Sequence, residues 1–257
     1  MKYLRQALHI VALPLILLAV WFLATIDGAS FFVPTPELLV ETFSNTWTAD
    51  RFLTDVFPSL ARLLVGIILS ILLGIGAGLL IGSFRWLRAL LEPTMEFFRA
   101  MPPPVLIPVI MLLVGVGDEM KISVIVLGAV WPILLNTIEG VRSMDEVLAD
   151  TSRTYGMTKF NSVRYLILPS AMPQIMAGIR QSLSIALILM VISEMFASTE
   201  GLGFTIVQFQ RSFAIPEMWS GIVLLGLIGV LMSFIFQIAE RWILGWYHGL
   251  REIEQSA

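Results

Sequence analysis

The chain reads as an all-α, polytopic membrane protein with six transmembrane helices, and three observations predict this. Of its 257 residues 57% are hydrophobic and 14% charged, where soluble domains carry roughly 25% charged residues. Mean hydropathy is +0.87. The apolar residues gather into runs of membrane-spanning length, separated by polar or turn-rich intervals. One transmembrane domain over residues 1–257 is expected, with its core at about 57–240 and a structured polar interval at 143–170.

Composition also excludes function classes. A net charge of -3 with no basic run gives nucleic acid no footprint. The absence of cysteine removes disulfides, thiolate metal sites and cysteine nucleophiles. His9 and His248 stand near opposite ends and outside any metal-ligand cluster, so neither is given a role.

The first expected span runs from about His9 to Ile26, behind Lys2 and Arg5. It exceeds the ~7–15 residues of a signal-peptide core, and ATIDGAS after it lacks a small-x-small cleavage site, so an uncleaved helix is expected. Residues 27–57 are polar, acidic and turn-rich, fitting an extracytoplasmic loop that ends in a short amphipathic piece. The second span, about Leu60 to Ile81, places Gly66, Ser70, Gly74, Gly78 and Gly82 at every fourth position. Such a stripe lets a neighbouring backbone approach along the whole helix. The GIGAG within it lacks the strand and spacing of a dinucleotide loop and is read as packing.

Residues 84–99 form a basic helical connection, followed by Pro102, Pro103 and Pro104. Three prolines cannot lie inside a regular helix, so the third span is expected after them, kinked or started at Pro108 and ended by the turn Gly115 to Glu119. The fourth span covers about Ile122 to Ile138, with a Trp131-Pro132 kink and Asn136 near its inner end. The fifth, about Gln174 to Phe196, holds Arg180 and Glu194. A loop with Gly201 and Gly203 precedes the sixth, Trp219 to about Gln237, and a charged amphipathic tail closes the chain.

With the N-terminus inside, the inner segments hold Lys2, Arg5, Arg85, Arg88, Arg99, Arg142, Arg153, Lys159, Arg164, Arg241 and Arg251. The outer segments and their helix edges hold Arg51, Arg62, Lys121 and Arg211, while Arg180 lies within a span. The positive-inside rule therefore puts both termini and the 143–170 interval in the cytoplasm.

That interval is patterned as an elbow. Ser143 and Glu146 have the spacing of a capping box for a short helix, which Gly156 is placed to stop. Thr158 can cap a second helix, Lys159 to Leu168, ended by Pro169, with Pro173 marking entry to the fifth span. The other reading of the pattern is an interfacial segment lying on the membrane.

Gly156 is followed after nine residues by Leu166-Ile167-Leu168-Pro169. This resembles the cytoplasmic loop of permease subunits of binding-protein-dependent ABC importers, in which Glu-Ala-Ala, three residues, glycine, nine residues and Ile-x-Leu-Pro follow in order. Asp150-Thr151-Ser152 stands here for Glu-Ala-Ala. FFVPTPELLVETF, the glycine-striped span, MPPPVLIPVIMLLVGVGDEMKI and GLGFTIVQFQ are similar to parts of the nitrate/sulfonate/taurine subgroup, over about Phe31 to Trp246. The resemblance implies a type I ABC importer permease fold in a bacterial inner membrane. It further implies a second permease copy, an extracytoplasmic substrate-binding protein and two cytoplasmic ATPase subunits. Asp150, Thr151, Ser152, Tyr155, Gly156, Met157, Thr158, Leu166, Leu168 and Pro169 would then contact the ATPase.

The chain has no GxxxxGK[ST] phosphate loop, so no cofactor is expected on it, and ATP and Mg belong to the partner. Arg180, Ser184, Glu194 and Asn136 are the pathway candidates. Arg180 either faces a central cavity, where it attracts an anion, or snorkels to the inner interface; Glu194 either lines an outer gate or sits among outer headgroups. Ser184 can bond its own helix, and Asn136 can hold helices together. Two other classes stay open. A lipid-modifying membrane enzyme would need a cluster of acids, histidines or a nucleophile with its base, whereas the acids here are scattered. A passive channel would show ATP-independent flux.

Overall fold

The computed structural model describes residues 2–26, 31–196 and 198–247, with side chains from Ala12 onward except at 146 and 149. The side chains of His9 and Glu146, the segment 27–30 and the tail from His248 with Arg251 lie outside the described residues. Ten helices are described in order: α1 Lys2–Ala24, α2 Pro36–Thr46, α3 Ala49–Ser83, α4 Arg85–Ala100, α5 Pro103–Val114, α6 Asp118–Arg142, α7 Glu146–Thr154, α8 Lys159–Phe196, α9 Leu202–Arg211 and α10 Ile215–Ile243. Of these, α3, α6, α8 and α10 are each long and apolar enough to cross a bilayer.

The chain divides into two compact units, Met1–Pro58 with Glu200–Leu227, and Ser59–Thr199 with Ile228–Ala257. In the first, tryptophan indoles tie turns to helices. Trp21 Nε1 donates to the Pro34 carbonyl at 3.1 Å, Trp219 Nε1 to that of Phe32 at 2.9 Å, and Trp47 Nε1 to Ser220 Oγ at 3.0 Å. Thr35 caps α2 by accepting from the Leu38 amide at 3.2 Å, ahead of a proline at the first helical position.

The second unit is organised on α6. The small-residue stripe of α3 packs along it in step: a Cβ added at Gly66 would meet Ile125, at Gly74 Ile133, at Gly78 Thr137 and at Gly82 Val141, each pair 59 positions apart and each at 2.9 Å or less. A constant offset means two parallel helices in contact along their length, as the stripe predicts. On its other side α6 meets α8 antiparallel: Gly140 lies against Ala171, Gly178 against the Pro132 carbonyl, and Ser182 Oγ donates to the Ala129 carbonyl at 2.6 Å.

Two expectations need correction. The expected third span is not a straight crossing, because a four-residue 3-10 turn and an eight-residue helix are too short for a hydrocarbon core of about 30 Å. α5 instead pairs with α4 across a 90° bend. Pro103 and Pro104 lie inside its first turn rather than before it, at positions where a missing N–H leaves no helical bond unmade.

Pro169, second, does not stop a helix. A π-turn at Val163–Ile167, closed by the Leu168 amide on the Val163 carbonyl, precedes it, and α8 continues unbroken for 38 residues. The same device carries α3 past Pro58, behind a π-turn at Phe52–Val56. Widening the turn moves the carbonyl that a proline ring would strike and absorbs its lost donor.

Candidate functional site

The 143–170 interval folds as an elbow. Its first helix is capped by Asp145, whose carboxylate accepts from the Val147 amide at 2.7 Å. Ser143, expected as that cap, instead ends α6 and donates its hydroxyl to the Gly140 carbonyl at 3.1 Å. α7 ends as expected at Gly156, with φ +65. The Met157 amide reaches back to the Ser152 carbonyl and the Gly156 amide to that of Arg153, both at 3.0 Å. This pair of bonds is a Schellman motif, which needs a residue in the left-handed region.

Thr158 then starts α8, accepting from the Asn161 amide at 3.3 Å. Asp150 is exposed and ion-paired to Arg153 at 3.0 Å, Thr151 Oγ1 donates to the Val147 carbonyl, and Ser152 lies on the last turn of α7. Leu166, Leu168 and Pro169 belong to the continuous α8, so the elbow is fused to the span that follows. Val147, Leu148, Tyr155, Met157 and Phe160 leave large apolar surface exposed around the corner, with Tyr155 at 81%.

Of the pathway candidates, Arg180 and Ser184 lie one turn apart on an exposed face of α8 with Gln174 and Gln181. Arg180 is ion-paired to Glu240 of α10 and lies over the Phe236 ring at 6.0 Å. Its charge is therefore balanced, though its side chain is 59% exposed. Asn136 donates its amide to the Pro132 carbonyl of its own helix at 2.8 Å and lines a cleft of about 480 Å³ shared by α4, α5, α6 and α8. Gly128 lets the proline segment close the end of that cleft, since a Cβ there would sit 2.1 Å from Leu189 and 3.2 Å from Pro103.

Glu194 lies inside the unit rather than on an exposed face of α8. Its carboxylate is fully buried, accepting from Ser59 Oγ at 2.7 and 2.9 Å and from the Arg62 guanidinium at 3.0 Å. Arg62, 3% exposed, also bonds Asp118 through Nε at 2.6 Å, and buried Lys121 lies 3.5 Å from the same carboxylate oxygen. Two cations and two carboxylates thus fasten α3, α6 and α8 together at one end of the unit. A charge buried in hydrocarbon is costly alone, and pairing is the physical reason for the cluster. Sequence reasoning placed Arg62, Lys121 and Asp118 at span edges without joining them. The signal was there: an arginine one turn into a long apolar run needs a counter-charge, and Glu194 lies at the same end of the fifth span.

Known proteins resemble the chain over most of its length. The family described as binding-protein-dependent transport system inner membrane component matches residues 70–245. A probable ABC transporter permease protein of Brucella melitensis is 32% identical over 226 residues, 88% of this chain and 92% of that protein. The putative aliphatic sulfonates transport permease protein SsuC of Bacillus subtilis is 29% identical over 238 residues, 91% of this chain and 86% of that protein. Among solved structures, a chain of the MetNI methionine ABC transporter in an inward-facing crystal form superposes with a TM-score of 0.63 at 22% identity, covering 81% of this chain and 97% of that one.

Proposed function

Because the chain belongs to the family of binding-protein-dependent transport system inner membrane components and is a non-catalytic permease subunit, we propose that it imports a small anionic solute through a pathway shared with a second copy of itself. Energy comes from two cytoplasmic ATPase subunits, which hold the ATP and Mg. An extracytoplasmic binding protein delivers the solute, of a sulfonate, nitrate, taurine or organic-acid kind. Both termini lie in the cytoplasm, on the side where the basic residues concentrate.

The observation that carries this reading is the elbow. It is capped at both helices, locked at Gly156 and continuous with the 38-residue α8, which at about 1.5 Å per residue is far longer than a bilayer core. A rigid lever of this kind can pass a partner's movement into the membrane. Its exposed Tyr155, Met157 and Phe160 supply the apolar contact such docking needs. The exposed polar face of α8 around Arg180 and Ser184, costly against lipid, suits a water-filled pathway.

The test is Asp150→Lys combined with Gly156→Pro, in chain expressed with its ATPase. Loss of ATPase co-purification and of solute-coupled hydrolysis, at an unchanged membrane level of the chain, is the expected result. Intact assembly and coupling would refute the docking role.

A further inference from the structure

The cleft between α4, α5, α6 and α8 carries more chemistry than the pathway reading requires. Resting on that reading, we infer that it is a binding site for an organic monoanion, with Arg99 taking the anionic group and the Trp131 ring packing the apolar body.

Arg99 lies in the last turn of α4 and lines the cleft. Its guanidinium bonds Glu96 through one nitrogen at 2.8 Å, in a pair whose side chains are 56% and 57% exposed. Exposed i,i+3 pairs are weak and readily exchanged. The rest of the planar fork can meet a sulfonate or carboxylate through two parallel N–H bonds. Gln181, exposed on α8, adds an amide to the lining. Asn136, which also lines the cleft, gives one of its two amide N–H groups to the Pro132 carbonyl.

The remaining walls are apolar. Trp131 is fixed as a platform: it stacks on Phe98 at 6.0 Å and 11°, and packs against Ile81, Met95, Leu134 and Ile138. Met101, Pro103 and Ile185 complete the surface. At about 480 Å³ the cleft falls in the range of small-molecule sites, roughly 300–1,000 Å³. An inorganic oxyanion would fill little of it and would give up hydration to walls that return few hydrogen bonds. An anion with an alkyl or aryl body matches both the charged Arg99 and the apolar remainder of the lining.

The natural chain has no cysteine, so a single reporter thiol can be read without background. Ile185→Cys is placed in the cleft and Ser83→Cys, exposed at the end of α3, serves as control, each in the full chain in lipid nanodiscs. Maleimide labelling is timed with hexanesulfonate, nitrate or bicarbonate at matched ionic strength. Hexanesulfonate near saturation is expected to slow labelling of Ile185→Cys by about tenfold, with nitrate and bicarbonate inert, Ser83→Cys unaffected and the protection abolished by Arg99→Gln. Equal protection by nitrate or bicarbonate would overturn the ligand class. Protection by no anion, equal slowing at Ser83→Cys, or protection surviving Arg99→Gln would overturn the site. The measurement needs no ATPase, so failure here alongside intact ATPase coupling sinks this site and spares the importer reading.

Discussion

Replacing Arg62 by methionine removes the guanidinium while keeping much of its volume. Glu194, 0% exposed, then keeps its Ser59 hydrogen bonds but loses its buried counter-charge. Breaking a buried pair from one side costs ~3–5 kcal/mol. Asp118, with a side chain 61% exposed, is replaced more cheaply: Asp118→Asn keeps an amide oxygen that can still accept from Arg62 and Lys121, so it should cost about 1–3 kcal/mol, less than Arg62→Met. Replacing both buried partners, Arg62→Met with Glu194→Met, removes both charges of the pair, so the double variant should cost less than either single one and the coupling between the two positions should be at least about 3–5 kcal/mol. Unfolding of the full chain in detergent, followed for wild type, Arg62→Met, Glu194→Met and the double variant, measures that coupling, and Asp118→Asn is followed beside them. Strictly additive costs, or an Arg62→Met variant no less stable than Asp118→Asn, would refute the view that a desolvated ion pair fastens these helices.

Two further outcomes are expected. Gly78→Val places a Cβ 2.5 Å from that of Thr137 and 3.0 Å from the Leu134 carbonyl oxygen. It should therefore destabilise by ~1–3 kcal/mol, while Gly76→Ala, whose Cβ would meet nothing within 4 Å, should stay near wild type in the same thermal assay. Gly156→Ala forces a side chain into the left-handed region at ~1–2 kcal/mol and Thr158→Ala removes a cap worth about 1 kcal/mol. Together they should weaken ATPase association in a pull-down titration by tenfold or more, without lowering the melting temperature of the helical core.

Much of this was written locally. Gly66 to Gly82 announce a close helix contact because small residues every fourth position have few other uses in an apolar run. Gly156 and Thr158 announce the elbow because a C-terminal glycine and an N-cap hydroxyl act within one turn. The misses arise where bonding reaches further or departs from the regular ladder. Pro169 reads as a stop only if every upstream bond spans four residues, and the π-turn at Val163–Ile167 removes that premise. Ser143 and Asp145 are both acceptable caps two residues apart, and the C-terminal turn of α6 claims the serine. Arg62 and Glu194 are 132 positions apart, and no local pattern joins them. Their matching depth in two spans was the available clue.

Contact between the elbow and the ATPase is what the importer reading most directly requires. Tyr155→Cys, in a chain otherwise free of cysteine, can carry a maleimide photo-crosslinker at a side chain 81% exposed; Leu112→Cys, at 88%, is the control on α5. Illumination of the co-purified complex should yield a permease–ATPase adduct from position 155 and none from position 112. An adduct from position 112 alone, or none from 155 in a complex that still hydrolyses ATP, would contradict docking through the elbow.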